Sequence, residues 1–213
     1  MNRREMVTLL GGAAAGWPLV AVAQQSEKLP TIGVFASGTP AAQGRWWAGF
    51  AERLHVLGWT QDRTVAIEYR WAEGRSERFP ELADEFVRLK VDVIATSGTA
   101  AATAAKQATT KIPIVFALAG DPVGTGLVAS LARPGGNVTG LSLQLTDLGG
   151  KRLELLREVV PALRRLAILV NVGNPASVLE IGETEVQART LGLEVAGRSR
   201  ATFQSSSRSS SIL

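Results

Sequence analysis

Three short polar turns carry the residues best placed to do chemistry. Each comes directly after an apolar run. They read Ala36-Ser37-Gly38-Thr39, Thr96-Ser97-Gly98-Thr99 and Ala119-Gly120-Asp121-Pro122. The middle turn leads straight into an alanine-rich segment with helical character. The hydroxyls of Ser97 and Thr99, with the free N–H groups at a helix start, would suit an anion such as a carboxylate. The same residues also suit a plain N-cap. Asp121 could pair with a ligand ammonium or cap a helix just beyond it. Gly124-Thr125-Gly126-Leu127-Val128-Ala129 has the form G-x-G-x-x-A. It lacks the acidic residue some 20 positions on that a dinucleotide fingerprint needs.

Catalytic and metal chemistry find little support. The chain has no cysteine and one histidine, His55, which excludes thiol chemistry, a disulfide framework and a histidine-based metal cluster. No Ser–His–Asp set or carboxylate pair stands out. Thr96-Ser97-Gly98 lacks the glycine two positions before serine that a nucleophile elbow requires. No cofactor, metal site or catalytic residue is expected. Asn137-Val138-Thr139 has the form of a glycosylation sequon. Trp46, Trp47, Trp59 and Trp71 are expected mostly in the core, with one of the adjacent Trp46 and Trp47 free to line a cleft, since neighbouring helical residues do not share a face.

These turns need a scaffold that brings them together. Strand patterns are expected at residues 31–35, 65–71, 91–96, 112–117, 138–143 and 166–171. Helical patterns alternate with them at 45–57, 80–89, 99–108, 123–131, 148–160 and 176–191. Such alternation predicts an α/β protein with a parallel sheet and helices on both faces. Ligands then bind at the carboxyl ends of the strands, where strand order reverses. A complete first lobe is expected over 29–145 and a partial second lobe over 146–196.

The ends read differently from the body. Residues 1–23 run from a basic head with Arg3 and Arg4, through a Gly/Ala-rich apolar stretch, to Ala21-Val22-Ala23. That is the layout of a secretory signal peptide cleaved near Ala23, and the arginine pair also fits twin-arginine export. Residues 197–213 form a Ser/Arg-rich tail, expected to be disordered. The formal net charge of +4 comes from these ends: between Gln24 and Ala196 there are 18 basic and 18 acidic residues. A neutral body argues against a nucleic-acid partner.

Leu131-Ala-Arg-Pro-Gly-Gly-Asn-Val-Thr-Gly140 resembles the LARPGGNVTG segment of the ABC-transporter substrate-binding family that includes tryptophan/tyrosine-type binding proteins. Further matches are Ile32-Gly-Val, Asp92-Val-Ile-Ala-Thr-Ser-Gly-Thr99, Lys111-Ile-Pro-Ile-Val-Phe116, Gly120-Asp-Pro122, Lys151-Arg-Leu-Glu-Leu-Leu156 and Asn174-Pro175. The similarity covers nearly all of residues 1–195. It implies a type I periplasmic-binding-protein fold, in which two lobes close on a small polar, amino-acid-like ligand. It also implies a periplasmic, monomeric protein that serves an ABC permease. By position, Ser37, Ser97, Gly98, Thr99 and Asp121 would line the first-lobe side, and Asn171 the second. Family members continue for roughly a further sheet half, so a truncated second lobe with impaired closure and binding is the expectation. Rival readings are an exported hydrolase-like α/β enzyme and a ligand-sensing input domain of the same fold.

Overall fold

The computed structural model describes residues 28–200, so the leader and all but the start of the tail lie outside the described residues. Chain order is β1 (Thr31–Ala36), α1 (Pro40–Val56), β2 (Ala66–Trp71), a 3₁₀ turn (Ser76–Arg78), α2 (Phe79–Leu89), β3 (Val93–Ser97), α3 (Thr99–Ala108), β4 (Ile114–Ala119) and β5 (Val138–Ser142). A second group comes next: α4 (Leu145–Val159), β6 (Arg165–Val170), α5 (Pro175–Thr190) and β7 (Glu194–Arg200).

The first lobe is a five-stranded sheet of order β2-β1-β3-β4-β5, every pair parallel. Strand order reverses between β1 and β3, so the crevice at the carboxyl ends of those two strands is the switch point of the sheet. Register aligns Phe35 with Thr96, which brings Ser37 and Ser97 to that crevice from neighbouring strands. Thr96 fastens the pair, its buried Oγ1 donating to the Phe35 carbonyl at 2.9 Å.

Alternation along the strands sends side chains to two cores. On one face Phe35, Ile94, Ile114, Phe116 and Val138 meet α2 and α3. Helix α2 places Phe79, Leu82, Ala83 and Phe86 on one buried stripe, the spacing an amphipathic helix requires. Phe79 and Phe86 tilt against Phe35 at 6.0 and 6.1 Å between ring centroids. On the other face α1 lays Trp47, Phe50, Ala51 and Leu54 over Val34, Val65, Ile67 and Ala95. Helix α1 starts at Pro40, earlier than the apolar spacing indicates, because Thr39 caps it through Ala42 N–H and Pro40 fits its first turn.

Two expectations are corrected. Residues 123–131 form turns, not a helix. Gly124 and Gly126 are poor helix formers, and Asp121 captures the local donors, accepting Gly124 N–H on its side chain and Thr125 N–H and hydroxyl on its carbonyl. The pattern also does not stop at Ala196. Strand β7 runs to Arg200 and pairs in parallel with β6, so the expected boundary at 196/197 falls inside a strand. Residues 201–213 of the expected tail lie outside the described residues.

The second group is smaller. Sheet β6-β7 has two strands, and α4 and α5 pack on it through buried Leu153 and Ala188, joined by Leu193 of the turn before β7. The two groups touch at Gly120, after β4. A Cβ there would lie 2.7 Å from Ala176 Cβ at the start of α5, so this approach requires glycine. Asn137, within the ten-residue motif, donates to the Thr109 and Ile112 carbonyls at 3.0 and 2.8 Å. It braces the entry to β4, which accounts for its place in the sequence.

Candidate functional site

At the carboxyl end of β1, Ser37 and Gly38 are half-buried and tightly held. Gln43, on the first turns of α1, accepts from Gly38 N–H at 2.9 Å and donates to Ser37 Oγ at 3.2 Å. Across the loop, Glu73 and Gly74 N–H groups donate to the Gly38 and Ser37 carbonyls at 3.0 and 2.7 Å. At the end of β3, Ser97 is half-buried beside it. Gly98 is next, with φ 88° and ψ 155°, a conformation open essentially to glycine alone. Among the described residues no side chain caps α3, so its leading N–H groups present their partial positive charge at the crevice.

Thr99 departs from the sequence expectation. Its side chain does not line the crevice: the residue is 2% exposed, and its Oγ1 accepts from Gly120 N–H at 3.0 Å. Thr99 therefore ties α3 to the end of β4, behind the crevice. Asp121 is half-buried and engaged at both oxygens. Oδ1 accepts Gly124 N–H at 2.8 Å and Oδ2 accepts the Thr146 hydroxyl at 3.2 Å. It holds the turn after β4 to the start of α4.

Asn171 belongs to the second group. It is exposed at the end of β6, and its Oδ1 accepts Gly173 N–H at 3.0 Å in a turn leading to α5. It borders a pocket of about 230 Å³ with Arg152, Ser177 and Glu180, inside the second group. The structure thus sets Ser37, Ser97 and Gly98 at the ends of neighbouring strands, engages Thr99 with Gly120 and Asp121 with Gly124 and Thr146, and carries Asn171 on the second group.

Two features were not read from the sequence. One is the Gln43 clip. The other is Leu118, which sits at φ 58° where β4 carries one extra residue against β5 between Phe116 and Ala119. Such bulges redirect side chains, and Leu118 is 52% exposed at this end of the sheet. A strand with strict alternation gives no sign of either.

The tryptophans are less buried than expected: Trp46 and Trp59 are exposed, and Trp47 both packs on the core and lines a groove. Trp47 packs edge-on to Phe50 at 5.8 Å, while Trp46 is 58% exposed under the Arg45 guanidinium. A groove of about 570 Å³ runs between α1 and β2 along Trp47, His55, Tyr69 and Trp71, on the flank of the sheet and away from Ser97. His55 Nδ1 meets Thr60 Oγ1 at 3.2 Å on the surface. On the opposite side of β2, Arg70 donates to Glu85 at 2.8 Å, and this hydrogen bond holds the Glu85 carboxyl below its ordinary range.

The family model for ABC transporter substrate binding proteins matches residues 32–206. The chain belongs to that family. Its members are solute-binding proteins, not enzymes, and the fold is that of the type I periplasmic binding proteins. A tyrosine-binding protein of Clostridioides difficile is 29% identical over 177 residues, 83% of this chain and 51% of that protein. A conserved domain protein from Vibrio cholerae superposes with a TM-score of 0.72 at 28% identity, covering 82% of this chain and 58% of the other. A Streptococcus pneumonia protein solved in complex with L-Trp gives 0.71 at 25% identity, with the same coverage. This substrate-binding protein family member therefore spans about half the length of the tyrosine-binding relative.

Proposed function

We propose that the protein is the extracytoplasmic solute-binding component of an ABC importer, exported by its leader and passing an amino-acid-like ligand to a membrane permease. The ligand's carboxylate sits at the crevice between β1 and β3, with Ser37, Ser97 and the start of α3 as donors. Asp121 and Thr99 hold the wall of that crevice in place. One observation supports this reading: at the point where strand order reverses, two serines follow or end neighbouring strands beside a helix start that no side chain caps. The relatives that bind tyrosine and L-Trp support the amino-acid class. Tight capture in such proteins comes from closure of two lobes, a two-state equilibrium the ligand shifts.

The test is titration of L-tyrosine and L-tryptophan into the wild-type protein and into Ser97→Ala. Binding by the wild type, weakened about tenfold in Ser97→Ala, is the expected result, since a hydrogen bond to a charged group contributes about 1.5–3 kcal/mol. Equal affinity in both proteins would remove Ser97 from the site.

A further inference from the structure

The hydrogen bonds around Ser37 fix more than its position. Gly38 N–H lies 2.9 Å from Gln43 Oε1, and Gln43 Nε2 lies 3.2 Å from Ser37 Oγ. A backbone N–H only donates, so the amide oxygen of Gln43 must face Gly38. The NH₂ group then faces Ser37, and an NH₂ also only donates. Ser37 Oγ is therefore the acceptor in that pair, and its one proton is directed elsewhere. The carbonyls of Ser37 and Gly38 already accept from Gly74 and Glu73. The Ser37 proton is left for the open carboxyl end of the sheet.

We propose that Gln43 is a positioning residue that makes Ser37 a one-way hydrogen-bond donor to the ligand. The group received there is an acceptor, a carboxylate or carbonyl oxygen, and an ammonium is rejected. This deepens the ligand-site reading above and rests on it. Gln43 does not touch the ligand. It acts by setting which way one hydroxyl points.

Gln43→Glu is the discriminating substitution. It keeps the size of the side chain and the acceptor for Gly38 N–H. It also offers Ser37 a carboxylate in place of an NH₂, which turns the serine proton inward and leaves a lone pair facing the ligand. Two readouts decide. The first is neutron diffraction from deuterium-exchanged crystals of the ligand-free wild type. A deuteron on Gln43 Nε2 aimed at Ser37, with the Ser37 deuteron directed away, is expected. A Ser37 deuteron aimed at Gln43 overturns the proposal. The second is titration of L-tryptophan and of tryptamine, which shares the ring and amine but lacks the carboxylate. Gln43→Glu is expected to weaken L-tryptophan about tenfold or more and to leave tryptamine unchanged or tighter, since a lone pair and a carboxylate favour its ammonium. A general structural lesion would weaken both alike, and that result, or unchanged L-tryptophan affinity, overturns the proposal. If the wild type binds neither probe, the amino-acid reading fails, and the deuteron position alone still decides the role of Gln43.

Discussion

Thr99→Val separates a brace from a ligand contact. Valine matches threonine in volume and branching, so no cavity opens and the start of α3 keeps its shape. What disappears is the hydrogen bond that satisfies Gly120 N–H, made at 3.0 Å to a residue 2% exposed. A buried donor left without a partner costs about 1–3 kcal/mol. For a domain of this size each kcal/mol lowers Tm by about 2–4 °C, so the expected fall is roughly 2–12 °C. Differential scanning calorimetry reads it directly. Ser97→Ala is the control. Ser97 is half-buried, and its hydroxyl would act on the ligand, so its Tm is expected to stay within about 1–2 °C while affinity falls. The reasoning is refuted if Thr99→Val leaves Tm unchanged and loses L-tryptophan binding as Ser97→Ala does. That outcome would restore Thr99 to the ligand wall.

Two other parts of the structure give predictions of their own. Gly120→Val places a Cβ only 2.7 Å from Ala176 Cβ, so the junction between the two groups must open; small-angle scattering should show a larger radius of gyration, and an unchanged profile would contradict the packing. The Glu85 carboxyl is held below its ordinary range in the fold by Arg70, so its stabilisation is present above the unfolded-state value and is lost as pH falls through the lower folded-state value. Acid titrations of Tm should therefore fall less steeply in Glu85→Gln than in the wild type, and parallel curves would exclude the pair as a contributor.

The sequence reveals the scaffold better than the site. Strands such as residues 93–97 are apolar runs ended by Ser and Gly, and helix α2 carries an unmistakable stripe, so both can be read from local pattern. Segment 123–131 misleads because its apolar residues have helical spacing, while Asp121 and two glycines decide the backbone instead. At the site, residue types at strand ends single out Ser37, Ser97 and Gly98, which the β1/β3 register sets at the ends of neighbouring strands. They cannot tell a lining hydroxyl from a bracing one. Thr99 and Ser97 are two residues apart and chemically alike, yet helix geometry turns one inward to Gly120. Gln43 is equally silent in sequence, since its role depends on a loop folding back over the first turns of α1.

The most direct test of the central claim is an amide NMR map of the protein titrated with L-tryptophan and L-tyrosine. The account predicts that the largest shifts fall at Ser37, Gly38, Ser97, Gly98 and Ala100, the residues around the β1/β3 crevice. Shifts concentrated along the Trp47–Tyr69–Trp71 groove instead, with the crevice unmoved, would contradict it.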